Sequence, residues 1–153
     1  MVNKFALRIG ALGLVALFLA ALTVARAGTA DSIVDLTNRE RQAKGLRALK
    51  VNRQLTAAAL AHARNMARQE QMNHELDGRN PSDRVNDTGY RWRAYGENIA
   101  YGYPGPKDVV GAWMDSTGHR ENILNETFTE IGVAVAYSSK GVPYYCQVFG
   151  RPR

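Results

Sequence analysis

Two short polar segments constrain this chain most, because each drops a titratable group into otherwise apolar sequence. Gly96-Glu97-Asn98-Ile99-Ala100 carries a carboxylate between a glycine and an apolar pair. Trp113-Met114-Asp115-Ser116-Thr117-Gly118-His119-Arg120-Glu121-Asn122-Ile123-Leu124 carries an imidazole directly after a glycine. Such groups must find partners inside the fold or line a cleft, since buried polar atoms need hydrogen bonds. His74, in Met72-Asn73-His74, is a further candidate for the same neighbourhood.

The N-terminus sets the compartment. Lys4 and Arg8 precede an uncharged apolar run from Ile9 to Val24, and Ala25-Arg26-Ala27 puts small residues at a cleavage site before Gly28. Residues 1–27 therefore read as a secretory signal peptide and 28–153 as one mature domain, secreted or periplasmic. The alternative is an uncleaved anchor, but the uncharged stretch is short of the roughly 20 residues a spanning helix wants. No stable membrane span is expected after leader cleavage.

The leader also supplies three of the six net positive charges, through Lys4, Arg8 and Arg26, which leaves residues 28–153 near +3. Arg64, Arg68, Arg79, Arg84, Arg91 and Arg93 are interleaved with Glu70, Glu75, Asp77, Asp83 and Asp87. A nucleic-acid footprint needs an uncompensated basic stripe, so no nucleic-acid partner is expected. Weak attraction to an anionic envelope surface is compatible with this charge. Cys146 is the one cysteine, so no internal disulfide can form, and the alternating run around it makes a small buried apolar role the expectation.

Periodicity places the elements. Asp31 to Lys44 reads as an amphipathic helix ended by Gly45, and Asn52 to Gln71 as a second with Leu55, Ala59, His62 and Met66 on one stripe. His62 is then a core histidine with one nitrogen satisfied. From Met72 to Tyr95 the period vanishes, which predicts a long loop, locked by charge-assisted bonds of Arg79, Asp83 and Arg84. A short strand over Gly96 to Tyr103, a helix over Asp108 to Asp115 and one or two turns over His119 to Leu124 follow. Glu130 to Tyr137 and Val142 to Phe149 alternate as strands around the turn Ser138-Ser139-Lys140-Gly141. The fold class is α+β, one domain with a sheet covered by helices.

Gly96-Glu97-Asn98-Ile99 and Gly118-His119-Arg120-x-Asn122-Ile123-Leu124, with Asp77-Gly78-Arg79-x-Pro81-x-Asp83-Arg84 and Glu130-Ile131-Gly132-Val133, resemble the motifs of the CAP superfamily (cysteine-rich secretory proteins, antigen 5 and pathogenesis-related 1) in its compact bacterial SCP-domain form. The resemblance runs from about Asp31 to Gly150 and implies an α-β-α sandwich with a central, mostly antiparallel sheet. It also implies a cleft with a tetrad of two histidines and two glutamates. Three members have counterparts in His74, Glu97 and His119, whereas Ser116 stands where the second glutamate falls in many eukaryotic members.

Two histidines and a carboxylate could hold zinc or another divalent cation with an open position, though no cofactor is required. The competing expectation is a hydrogen-bond network in which Glu97 orients the histidines and pins the loops. Asn98 and Asn122 are expected to bond to backbone, and Trp92 and Tyr103 to line a groove for a ligand. The favoured function is a non-catalytic, monomeric, exported module that binds a lipid-like or cell-envelope ligand through His74, Glu97, His119, Trp92 and Tyr103. One alternative is a hydrolase built on the same cluster, with Ser116 as the nearby nucleophile; the other is a secreted protein-interaction module.

Overall fold

The computed structural model describes residues 28–153, so the leader expected over 1–27 lies outside the described residues. Helix α1 covers residues 28–43 and buries Ile33, Val34 and Thr37 along one face. Gly45, at a φ of 74°, ends it: the amides of Gly45 and Leu46 return to the carbonyls of Gln42 and Arg41, a left-handed closure that glycine adopts without strain.

Strand β1 (Lys50–Val51) leads into α2 (Arg53–Gln69). The Asn52 side chain caps α2, its oxygen accepting from the amides of Gln54 (2.8 Å) and Leu55 (3.2 Å), while its Nδ2 donates to Glu130 (3.2 Å). Removing these bonds in Asn52→Ala should cost about 1–2 kcal/mol, read as a lower urea midpoint at unchanged slope; an unchanged midpoint would show that solvent replaces the cap.

After α2 come α3 (Pro81–Asp87), β2 (Trp92–Tyr101), α4 (Pro106–Asp115), α5 (Thr117–Ile123), β3 (Glu130–Tyr137) and β4 (Pro143–Pro152). The sheet order is β1-β3-β4-β2, with β1 parallel to β3 and the other pairs antiparallel. Alternation then gives each face its own core. Leu55, Ala59, Ala63 and Met66 of α2 pack with Ile99, Ala134, Cys146 and Val148 on one side. On the other, Ile33 of α1, Val109 and Trp113 of α4 and Ile123 of α5 meet Ile131, Val133, Tyr145 and Phe149. This is the α-β-α sandwich.

The stretch expected as loop from Met72 to Tyr95 is shorter than that. It contains α3, started by a reciprocal cap in which Asn80 accepts from the Asp83 amide and Asp83 accepts from the Asn80 amide, with Pro81 in the first turn. The signal Asn-Pro-Ser-Asp was present, but seven residues show no full apolar period. Strand β2 also begins at Trp92, four residues ahead of the expected Gly96, because its first residues pair with the last ones of β4.

A second device was not visible in sequence. Arg41, 2 % exposed, donates from α1 to the carbonyls of Ile123 (2.7 Å) and Asn125 (2.9 Å), tying α1 to the end of α5. Burial lowers its pKa, with Glu126 acting in the opposite sense.

Candidate functional site

Glu97 is the centre of the polar cluster. It sits mid-strand in β2 on the face that α2 covers, and its side chain is 3 % exposed. A guanidinium and an imidazole meet it. Arg84 of α3 donates from Nη2 to both carboxylate oxygens, at 3.0 Å and 2.8 Å, and also to the His74 carbonyl at 3.0 Å. His74 Nδ1 lies 2.8 Å from Oε1. Below them, the Cys146 thiol donates to Oε2 at a sulfur distance of 3.7 Å.

Burial alone would raise the Glu97 pKa; the His74 hydrogen bond and the Arg84 charge overcome it and hold the carboxyl below its usual range. The Cys146 thiol, fully buried beside this carboxylate, is pushed well up, so it is a packed donor and not a nucleophile.

His62 differs from the expectation. It lies on the buried stripe of α2, 1 % exposed; the Asn73 backbone interacts with the ring without reaching good hydrogen-bond geometry, and Nε2 stops 3.8 Å from Glu97 Oε1. Desolvation lowers its pKa to about 4, against the pull of Glu97. An unfolded histidine titrates near 6.5, so between the two values the unfolded chain binds more protons. Stability is therefore full above pH ~6.5 and lost as pH falls toward ~4, by up to about 3 kcal/mol. Glu97 adds a loss of the same sign at lower pH, since its depressed pKa stabilises the fold only while it is ionised. Urea midpoints between pH 7 and 4.5 should fall, and His62→Gln should flatten the upper part of that slope; parallel curves for both proteins would refute the assignment to His62.

The remaining candidates divide. His119, in α5, is partly exposed; burial and the charge of His74 both lower its pKa, which places the two imidazoles in each other's field. Its backbone carbonyl accepts from Asn98 Nδ2 at 3.1 Å, and Asn122 Nδ2 donates to the Glu97 carbonyl at 3.2 Å and to Asn98 Oδ1 at 2.9 Å. The amides thus stitch α5 to β2. Ser116 ends α4 and precedes α5, and among the described residues no hydrogen bond links its hydroxyl to His119, His74 or Glu97. Trp92 stands at the start of β2, donating to Asn86 at 2.8 Å and set edge-on to Tyr95. Tyr103 packs into the core on the α1 and α4 side, where its carbonyl accepts from the Tyr145 hydroxyl at 2.8 Å. Neither residue joins the cluster.

Of the two readings of the cluster, this geometry is that of the hydrogen-bond network, and the divalent-metal reading gains no support from it. Both oxygens of Glu97 are taken by Arg84, a cation already in place, and among the described residues no three His, Cys, Asp or Glu side chains converge on one point. A zinc set of His74, His119 and Glu97 is therefore not supported among the described residues. Sequence reasoning missed Arg84 as a partner of Glu97 because the two come from different elements; the one hint was an arginine in a segment expected to be tied down by charge.

The profile of the cysteine-rich secretory protein (CAP) family matches residues 34–149. The chain belongs to this family. The uncharacterized protein YkwD of Bacillus subtilis (strain 168) is 39% identical over 120 residues, covering 78% of this chain and 46% of that protein. An extracellular SCP-domain protein of Bacillus anthracis str. Ames has a similar structure, with a TM-score of 0.75 at 30% identity, over 82% of this chain and 41% of that one. An outer surface protein of Borrelia burgdorferi shares the fold at a TM-score of 0.74 and 22% identity, over 78% of this chain and 90% of that one. The chain thus spans less than half the length of the curated relative YkwD. Among the described residues no helix is long and apolar enough to cross a membrane. In this CAP domain the Glu97 carboxylate is closed by Arg84.

Proposed function

We propose that this CAP domain is an exported, non-catalytic binding module for an amphipathic, lipid-like component of the cell envelope. The observation that carries this is the division of labour between cluster and groove. Glu97 is fully engaged by Arg84 and His74, so it offers neither a free general base nor a metal ligand. An apolar cavity of about 540 Å³ instead lies between α2 and β3, lined by Leu60, Ala67, Val133, Val135 and Ala136, with the exposed Arg64 and Arg68 beside it. An apolar chain in that groove with an acidic head at Arg64, and at Arg68 in exchange for its exposed pairing with Asp77, matches its chemistry. The cluster then serves as the pin that holds α3 and the His74 segment to β2.

Native mass spectrometry of the exported protein, followed by add-back of a long-chain fatty acid, tests this. Retained or added ligand should persist in His119→Ala and fall at least tenfold in Arg64→Glu combined with Arg68→Glu. No bound mass at high protein concentration would overturn the proposal, and loss in His119→Ala alone would move the ligand to the cluster. The hydrolase reading has no hydrogen-bonded nucleophile and base behind it in this cluster.

A further inference from the structure

The register of β2 against β4 brings together two tripeptides that are 60 positions apart in the chain. Trp92 pairs with Pro152, so Arg91-Trp92-Arg93 lies antiparallel to Arg151-Pro152-Arg153. The Arg153 amide donates to the Arg91 carbonyl and its Nε to the Trp92 carbonyl, both at 3.0 Å. A register shift between Trp92 and Ala94 falls on Arg93; such bulges re-aim a side chain. All four arginines are exposed.

The arginine and lysine ion pairs of the described residues engage Arg68, Arg79, Arg84 and Lys140, and none reaches Arg91, Arg93, Arg151 or Arg153. Of the acids near this strand end, Asp87 is paired with Arg79, Glu130 accepts from the Tyr90 hydroxyl and Asn52 and keeps its charge, and Glu126 lines a separate cleft with Arg151. Residues 28–153 carry a side-chain charge near +3, so four arginines at one end leave the remainder slightly negative. Like charges on facing strands destabilise a sheet, and a strand end that concentrates them suits an anionic partner. Arg91 and Arg153 also share an open cleft of about 530 Å³ with Asn86, Tyr90 and Trp92.

We infer that this strand end is a binding site for a linear, base-free phosphodiester polymer, separate from the α2–β3 groove. All four cations are arginines, whose forked donors match phosphate oxygens. The cleft admits one repeat of a flexible chain while the flanking phosphates meet Arg93 and Arg151. Nucleic acid is disfavoured because single strands need aromatic stacking platforms, and Trp92 is set edge-on to Tyr95 at 71° and tied to Asn86.

The test is a titration of the whole chain with deacylated poly(glycerol phosphate) over a range of salt. Four phosphate contacts predict a slope of log affinity against log salt of about −3. Arg91→Gln with Arg153→Gln should halve that slope and weaken binding at least tenfold, and Arg93→Gln with Arg151→Gln should do the same if the first pair fails to fold. Arg39→Gln with Lys107→Gln, exposed beside α1 and α4, should change neither. Absence of binding, or a slope indifferent to both arginine pairs, overturns the inference. Equal or tighter binding of oligothymidylate or of polyglutamate overturns the assignment to a base-free phosphodiester.

Discussion

Arg84→Met should destabilise the domain by about 3–5 kcal/mol, because it leaves the buried Glu97 carboxylate without its cation. For a domain of this size that lowers the melting midpoint by roughly 10–20 °C. The guanidinium does more than neutralise: it grips both oxygens of Glu97 and the carbonyls of His74 and Arg79, so it joins α3, the His74 segment and β2 at one point. Arg84→Lys keeps the charge and loses the fork, and should fall between the two. The double variant Arg84→Met with Glu97→Gln should cost less than its two single changes added together, since neither charge is then stranded. A loss below about 1 kcal/mol in Arg84→Met would mean that His74 or water suffices for Glu97, and the pin would be wrong.

Gly132→Ala should be about as damaging, at about 3 kcal/mol or more. A Cβ built on Gly132 would stand 2.1 Å from the Leu55 carbonyl carbon and the Thr56 amide nitrogen, and 2.5 Å from the Leu55 oxygen. These are backbone atoms of the first turn of α2, so no rotamer change relieves the clash; the helix has to lift from β3. Lifting it would also loosen the Asn52 cap and the Leu55 contacts on the sheet. Differential scanning calorimetry would show a lower midpoint and enthalpy. An unchanged midpoint would show that α2 shifts along the sheet at no cost. Gly96 is a milder case, since there the nearest obstacles are side-chain atoms of Asn122 and Phe128 at 2.9 Å.

Much of the architecture was legible in the residues themselves. The stripe of Leu55, Ala59, His62 and Met66 reports a helix because period and burial coincide in a 17-residue element. The alternation around Gly141 reports a hairpin for the same reason at period two. The helix α3 escaped because seven residues hold too little pattern, although its cap was written out in Asn80-Pro81-Ser82-Asp83. Asn98 and Asn122 were expected to reach backbone and do so, but which backbone depended on α5 folding over β2.

Local periodicity and residue chemistry are properties of neighbours in the chain, and they were enough to specify the class of fold, the two helical layers and the polar residues that had to be accommodated. What those residues do was settled by the packing of segments far apart in the chain. Arg84 and Glu97 come from a short helix and a strand, and only their packing gives the buried carboxylate a guanidinium partner. Gly132 is a permissive strand residue until α2 settles on it. Arg91 and Arg153, 62 positions apart, come to line one cleft only through the pairing of Trp92 with Pro152. In each case the deciding term is a contact between distant segments, whose energy depends on distances of a few ångströms that no local pattern encodes.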